Sequence, residues 1–133
     1  MIGKKNTEMS GKVALLDSNI IIYISKGELD FLPLFEEYDQ IYISIITYME
    51  VLGYHFHNLN EKKKIIDFLS IFDMIWLDEH IVEEVILIRE NTRIKLPDAI
   101  IAASSKVING DLITRNIDDF KAISDLNLIT PFK

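Results

Sequence analysis

Val13-Ala14-Leu15-Leu16-Asp17-Ser18-Asn19 is an apolar run that ends abruptly in an acid, a hydroxyl and an amide, and Ile20-Ile21-Ile22-Tyr23 follows at once. A short aliphatic run bounded in this way reads as a buried strand that turns into a helix at its carboxyl end. Ser18 or Asn19 is expected to cap that helix, because a short polar side chain accepts an orphan backbone N–H. Asp17 is then expected to point into the crevice above the sheet, where open α/β sheets place their ligands. An ordinary capped strand end has the same appearance, so the meaning of the tripeptide depends on the rest of the chain.

Strand-like and helix-like segments alternate from there onward. Residues 1–12 are polar, carry Lys4, Lys5 and Lys12, and lack a hydrophobic period; they are expected to form a flexible tail, leaving 13–133 as one domain. Residues 18–26 predict a short helix ended by Gly27, and 29–37 a second with Pro33 in its first turn. A strand at 41–44 leads into a helix at 45–52. The segment 62–69 is helical, with Lys62-Lys63-Lys64 on a solvated face. A third strand at 74–77 precedes Asp78, which caps a helix reaching about Arg93 with Ile81, Val82, Val85 and Ile88 as its apolar stripe. Pro97 opens a helix of small and apolar residues, Gly110 separates it from a strand at 111–114, a short helix starts at Asp118, and 128–130 is a fifth strand. Such alternation with short connections predicts a three-layer α/β/α domain around a small parallel sheet.

Composition removes several classes of function. The 133 residues include no cysteine, which eliminates disulfide frameworks, thiolate zinc sites and cysteine nucleophiles. Apolar residues make up 49% of the chain, enough for a core without covalent or metal staples. A net charge of −7 argues against holding nucleic acid by bulk electrostatics. It leaves room for a nuclease whose acids gather around divalent cations, since bound cations reverse the local charge. The apolar stretches are far shorter than a membrane span and 1–12 has no secretion-signal core, so a cytoplasmic protein without a membrane partner is expected. His55 and His57, at i and i+2, do not share a helical face and make no zinc argument.

Acids recur where the chain meets the crevice: Asp17 after the first strand, Glu50 in the helix after the second, Asp98 at the start of the Pro97 helix, and Asp118-Asp119 after the fourth strand. Parallel strands bring their carboxyl ends to one edge, so these acids can converge although they are distant in sequence. Glu50 is expected inside an apolar helix face, where capping does not account for it. Two carboxylates about 4 Å apart repel by roughly 4 kcal/mol at an effective dielectric near 20. A hard divalent cation offsets that cost, and oxygen ligands without His or Cys select Mg²⁺ or Mn²⁺. The chemistry such a site suggests is hydrolysis of a phosphodiester.

Four segments together, Leu16-Asp17-Ser18-Asn19, Ser44 to Gly53, Leu96 to Ala103 and Leu112 to Phe120, resemble the PIN-domain ribonucleases. More narrowly, the set is similar to the VapC toxins of type II toxin–antitoxin systems. The resemblance implies a sheet ordered 3-2-1-4-5, Mg²⁺- or Mn²⁺-dependent cleavage of RNA, a homodimer, and a cognate antitoxin that blocks the cleft. It implies Asp17, Glu50, Asp98 and Asp119 as catalytic metal ligands, while Asn116 stands where relatives often carry Asp; which of Asn116, Asp118 and Asp119 reaches the metal is open. Asn19 and Thr114 are expected to orient ligands or water and Ser44 and Thr47 to brace the turn before Glu50, while Arg115 divides between facing RNA phosphate and the commoner role of a solvated surface arginine. Phe31, Leu32, Leu34, Phe35, Tyr48 and Phe56 divide between core packing and an antitoxin groove. Two alternatives accompany the toxin reading: a catalytically inactive PIN-like scaffold, and a stand-alone RNA-processing nuclease.

Overall fold

The run Val13–Leu16 forms β1, the middle strand of a five-stranded sheet. Side chains alternate across a strand, so a strand covered on both faces needs apolar residues at every position. Ala14, Leu15 and Leu16 are all fully buried. The structure, a computed structural model, describes residues 11–54 and 56–132; the expected tail up to residue 10, His55 and Lys133 lie outside the described residues.

The remaining strands are β2 (Gln40–Ser44), β3 (Asp73–Ile75), β4 (Asp111–Ile113) and β5 (Asn127–Ile129). They are ordered β3-β2-β1-β4-β5 with every pairing parallel, and Leu15 lies between Tyr42 and Leu112. The helices are α1 (Ser18–Ser25), α2 (Leu32–Glu37), α3 (Ile45–Leu52), α4 (Leu59–Leu69), α5 (Glu79–Asn91) and α6 (Leu96–Val107), with a 3₁₀ turn at Ile117–Phe120. Ala14, Leu16, Ile43 and Ile113 pack against Ile20 and Ile21 of α1, Leu34 of α2, Val51 of α3 and Leu69 of α4. Leu15 and Leu112 pack on the other face against Ile81, Val85 and Ile88 of α5, Ala99 to Ala103 of α6, and Phe120. The result is the expected three-layer α/β/α arrangement.

Small side chains let α6 lie close to the sheet: Ala99, Ala102 and Ala103 are fully buried. Ser104 and Ser105 share that burial because their hydroxyls donate to the carbonyls of Ile100 (2.7 Å) and Gly110 (2.9 Å). Gly110 allows the following turn to approach β1, since a Cβ there would stand 2.9 Å from Val13 Cγ2.

Several local expectations change. Asp17 itself, extended at φ −71 and ψ 157, is the N-cap of α1, whereas Ser18 and Asn19 already lie inside the helix. Strand β3 ends at Ile75, opposite Ser44, because β2 turns into α3 there and offers no further partner; Trp76 and Leu77 are exposed. The buried stripe of α5 is Ile81, Val85 and Ile88, at i, i+4 and i+7; Val82 falls on the next face and is exposed. Gly11 and Lys12, assigned to the flexible tail, are tied down: the Gly11 N–H donates to Asp39, the Asp39 N–H donates to the Lys12 carbonyl, and Lys12 pairs with Glu37 at 2.8 Å. Among the apolar residues around α2, Leu34 is buried and Phe31 packs edge-on against Phe68 and Phe72, while Leu32 is exposed. Among the described residues no helix is long and apolar enough to cross a membrane.

Candidate active site

All five strands run the same way, so the ends of β1, β2 and β4 meet at one edge. From β1 the chain goes outward through β2 and β3 and then returns to β4 on the opposite side of β1, so the connections leaving β1 and β4 diverge and open a crevice. Asp17 follows β1 directly. Ser44 ends β2 and caps α3, accepting from the Ile46 N–H at 3.1 Å, and α3 carries Glu50. Thr114 follows β4. Asp98 lies in the first turn of α6, which packs against β1, β2, β4 and the 3₁₀ turn that bears Asp119.

Asp17 is held from three sides. Its Oδ1 accepts the Ser18 N–H at 2.8 Å; its Oδ2 accepts the Thr114 hydroxyl at 2.8 Å and the Asn19 amide at 3.3 Å. Thr114 in turn accepts the Asn116 N–H at 3.0 Å, and Asn19 accepts the Arg115 N–H at 3.3 Å. Thr114 and Asn19 thus orient Asp17, and the loop after β4 is fixed to the same frame. The carboxyl is 7% exposed, and burial raises its pKa from 3.8 to about 6. The bonds from Thr114 and Ser18 oppose that shift, while the charges of Asp98 and Glu50 add to it.

Glu50 is exposed on α3, contrary to the expectation that it lies within an apolar face; Thr47 and Val51 point inward instead. The Ser18 hydroxyl reaches Glu50 Oε1 at 2.6 Å and Thr47 Oγ1 at 3.0 Å. A hydroxyl has one proton, so Ser18 donates to the carboxylate and accepts from Thr47. Thr47, fully buried, therefore steers Ser18, and Ser18 steers Glu50. Sequence reasoning gave Ser18 only a capping role. Its signal was adjacency to Asp17, which cannot reveal a contact with a residue 32 positions away.

Asp98 is also raised above its ordinary value, chiefly by burial, then by the charges of Asp119 and Glu50, with Lys95 acting against them. These influences link Asp17, Glu50, Asp98 and Asp119 electrostatically. Asp118 pairs instead with Lys121 at 2.5 Å on the surface. Among the described residues none of the four acids forms an ion pair, and no three His, Asp or Glu side chains are spaced as a ready-made metal cage. The donor set nevertheless suits a hard divalent cation: every donor is an oxygen, and the burial of the Asp17 charge is offset by no paired cation among the described residues.

Residues 14–126 match the family described as PIN domain. No curated protein matches the chain. Among solved structures, a toxin–antitoxin complex from Klebsiella pneumoniae contains a chain 34% identical, superposing with a TM-score of 0.76 over 90% of this chain and 98% of that one. VapBC2 from Rickettsia felis, bound to a DNA fragment from its promoter, matches at 25% identity and a TM-score of 0.78, covering 89% and 98%. VapBC-1 from nontypeable Haemophilus influenzae matches at 26% and 0.71, covering 89% and 97%.

Proposed function

Because the chain belongs to the PIN-domain family, we propose that it is a divalent-metal-dependent endoribonuclease, the toxin of a toxin–antitoxin pair. The observation that carries this reading is Asp17: a buried carboxyl with a pKa near 6, facing the charges of Asp98 and Glu50, with Asp98 in turn facing Asp119, and paired with no cation among the described residues. Such an arrangement costs stability unless a bound ion offsets it, so it is better explained by ligation than by packing. Asp17, Glu50, Asp98 and Asp119 would hold Mg²⁺ or Mn²⁺. When bound, the ion supplies charge neutralisation and water activation for phosphodiester hydrolysis. Asp119 is favoured over Asp118 as the fourth acid because it acts on Asp98, whereas Asp118 is engaged by Lys121. Asn116 contributes its backbone N–H to Thr114, a positioning role.

The 34% identical toxin–antitoxin complex supports the toxin assignment and an antitoxin protein as partner. A homodimer in the cytoplasm completes the reading. A small antitoxin-like reading frame adjoining the gene is expected, and its absence would favour a stand-alone RNA-processing nuclease.

The protein is expected to cleave RNA with Mg²⁺ or Mn²⁺ and to stop when a chelator is added, measured by gel electrophoresis of the products. Binding of no divalent ion by calorimetry, together with no cleavage, would leave the inactive-scaffold reading standing. Ser18→Ala gives a finer test. The variant keeps the backbone N–H that Asp17 accepts but frees Glu50, so cleavage should fall by about tenfold to a hundredfold with the melting temperature little changed. Restoration of the rate by Ser18→Thr would tie the loss to the hydroxyl.

A further inference from the structure

The four acids are not held alike. Asp17 and Glu50 accept side-chain or backbone hydrogen bonds, and Asp98 is fixed by the regular backbone of α6. Among the described residues the Asp119 carboxylate accepts no hydrogen bond, so its place is set by the backbone of its turn, and the turn by what grips its two ends. The far end is sunk in the core through buried Phe120, and the Asp119 N–H donates to the Asn116 carbonyl at 3.1 Å. The near end is Arg115, an exposed residue whose backbone N–H reaches Asn19 Oδ1 at 3.3 Å.

Two rings hold that near end. The Arg115 guanidinium carbon stands 4.4 Å from the centroid of Phe132 and 5.1 Å from that of Tyr23, and the rings meet edge to face at 4.9 Å. A planar guanidinium lies on a ring while its N–H groups stay in water, so it anchors an exposed loop at little desolvation cost. The chain after β5 turns Phe132 back toward the loop: the Thr114 N–H donates to the Ile129 carbonyl at 3.0 Å, and the Phe132 N–H donates to Thr130 Oγ1 at 3.3 Å. Tyr23 belongs to α1, the helix that Asp17 caps. The contact therefore joins three pieces of chain that are distant in sequence and carry two of the four acids between them.

We propose that Phe132 and Tyr23 are positioning residues for the divalent ion: through Arg115 they fix the turn carrying Asp119 against the helix that Asp17 caps. The proposal rests on the metal-dependent reading and adds to it a determinant of metal affinity that touches neither the ion nor the substrate. Released from the rings, the near end of the turn gains freedom, and an ion must then order Asp119 as it binds. The loss falls on metal affinity.

The test uses the full chain and compares the wild type with Phe132→Leu, Tyr23→Leu, Arg115→Lys, the double variant Phe132→Leu with Arg115→Lys, and Phe132→Tyr. Calorimetry gives the Mn²⁺ affinity, initial rates give the Mn²⁺ concentration for half activation and the KM for an RNA oligonucleotide at saturating Mn²⁺, and amide hydrogen exchange is followed in the metal-free protein. Phe132→Leu keeps apolar volume without the ring. It should weaken Mn²⁺ binding and raise the half-activating concentration by about threefold to tenfold, with KM and the melting temperature little changed. Exchange should quicken over residues 114–120 and stay as it is in β1 and α6. Tyr23→Leu and Arg115→Lys should act in the same direction, the double variant should lose no more than its worse single variant, and Phe132→Tyr should restore the wild-type affinity. Unchanged Mn²⁺ affinity in Phe132→Leu, losses that add in the double variant, or a change confined to KM would overturn the positioning role and leave the nuclease reading standing. A wild type that binds no Mn²⁺ removes the metal-dependent reading and the proposal with it.

Discussion

Asp98→Asn is expected to lower RNA cleavage by more than about a hundredfold while leaving the protein folded. Asp98 is half-buried at the start of α6, yet among the described residues its side chain accepts no hydrogen bond, and α6 has no side-chain cap to lose. The structural loss is confined to a first-turn charge favoured by the helix dipole, about 0.3–1 kcal/mol. Relief of the repulsion from Asp119 and Glu50 acts in the opposite direction. A large loss of rate with a near-native melting curve would therefore report on chemistry and not on folding. Asp17→Asn should lose activity to a similar extent, because it removes the charge of the most buried acid of the four. Initial rates with Mn²⁺ and circular dichroism on the same samples provide the measurement. Unchanged cleavage by both variants would remove the proposed site.

The second large effect is on stability against pH, in the presence of a chelator. Asp17 has a folded pKa of about 6 against 3.8 for an ordinary aspartate, so the folded state holds the proton more tightly than the unfolded chain. The associated stability is fully present below pH 3.8, is lost as the pH rises through the window up to about 6, and is absent above it. The loss amounts to about 3 kcal/mol. Asp17→Asn does not titrate. Urea unfolding of the two proteins from pH 3 to pH 8 should therefore show their difference in stability moving by about that amount in the variant's favour. Asp98, raised in the same direction, adds to the trend in both proteins, so the comparison isolates what depends on the Asp17 charge, its repulsion from Asp98 included. Adding Mn²⁺ at pH 8 should stabilise the wild type more than the variant, because an ion that binds only the folded state shifts the equilibrium toward it. A pH-independent difference between the two proteins would show that Asp17 is not perturbed.

Patterning made much of this legible. The buried runs at Val13–Leu16 and Ile41 to Ser44, the Asp78 cap, which accepts from the Ile81 N–H at 2.9 Å, and the Pro97 start of α6 are local signals governed by local physics. Misplaced details depended on neighbours: β3 stops where β2 leaves it, and Val82 is exposed because the outer helix buries a single narrow stripe.

By itself, the sequence determined that this chain folds as an α/β domain of the PIN type and that its acids fall at strand ends and helix starts. Periodicity and capping are encoded within a few residues, and the four motif segments keep their order along the chain. Tertiary structure alone decided how those acids are handled. It made Asp17 its own helix's cap, assigned Thr114 and Asn19 to orient it, recruited Ser18 and Thr47 to hold Glu50, and placed Arg115 against the rings of Tyr23 and Phe132. The physical reason is separation: most of these contacts join residues tens of positions apart, across strands that become neighbours only when the sheet has formed.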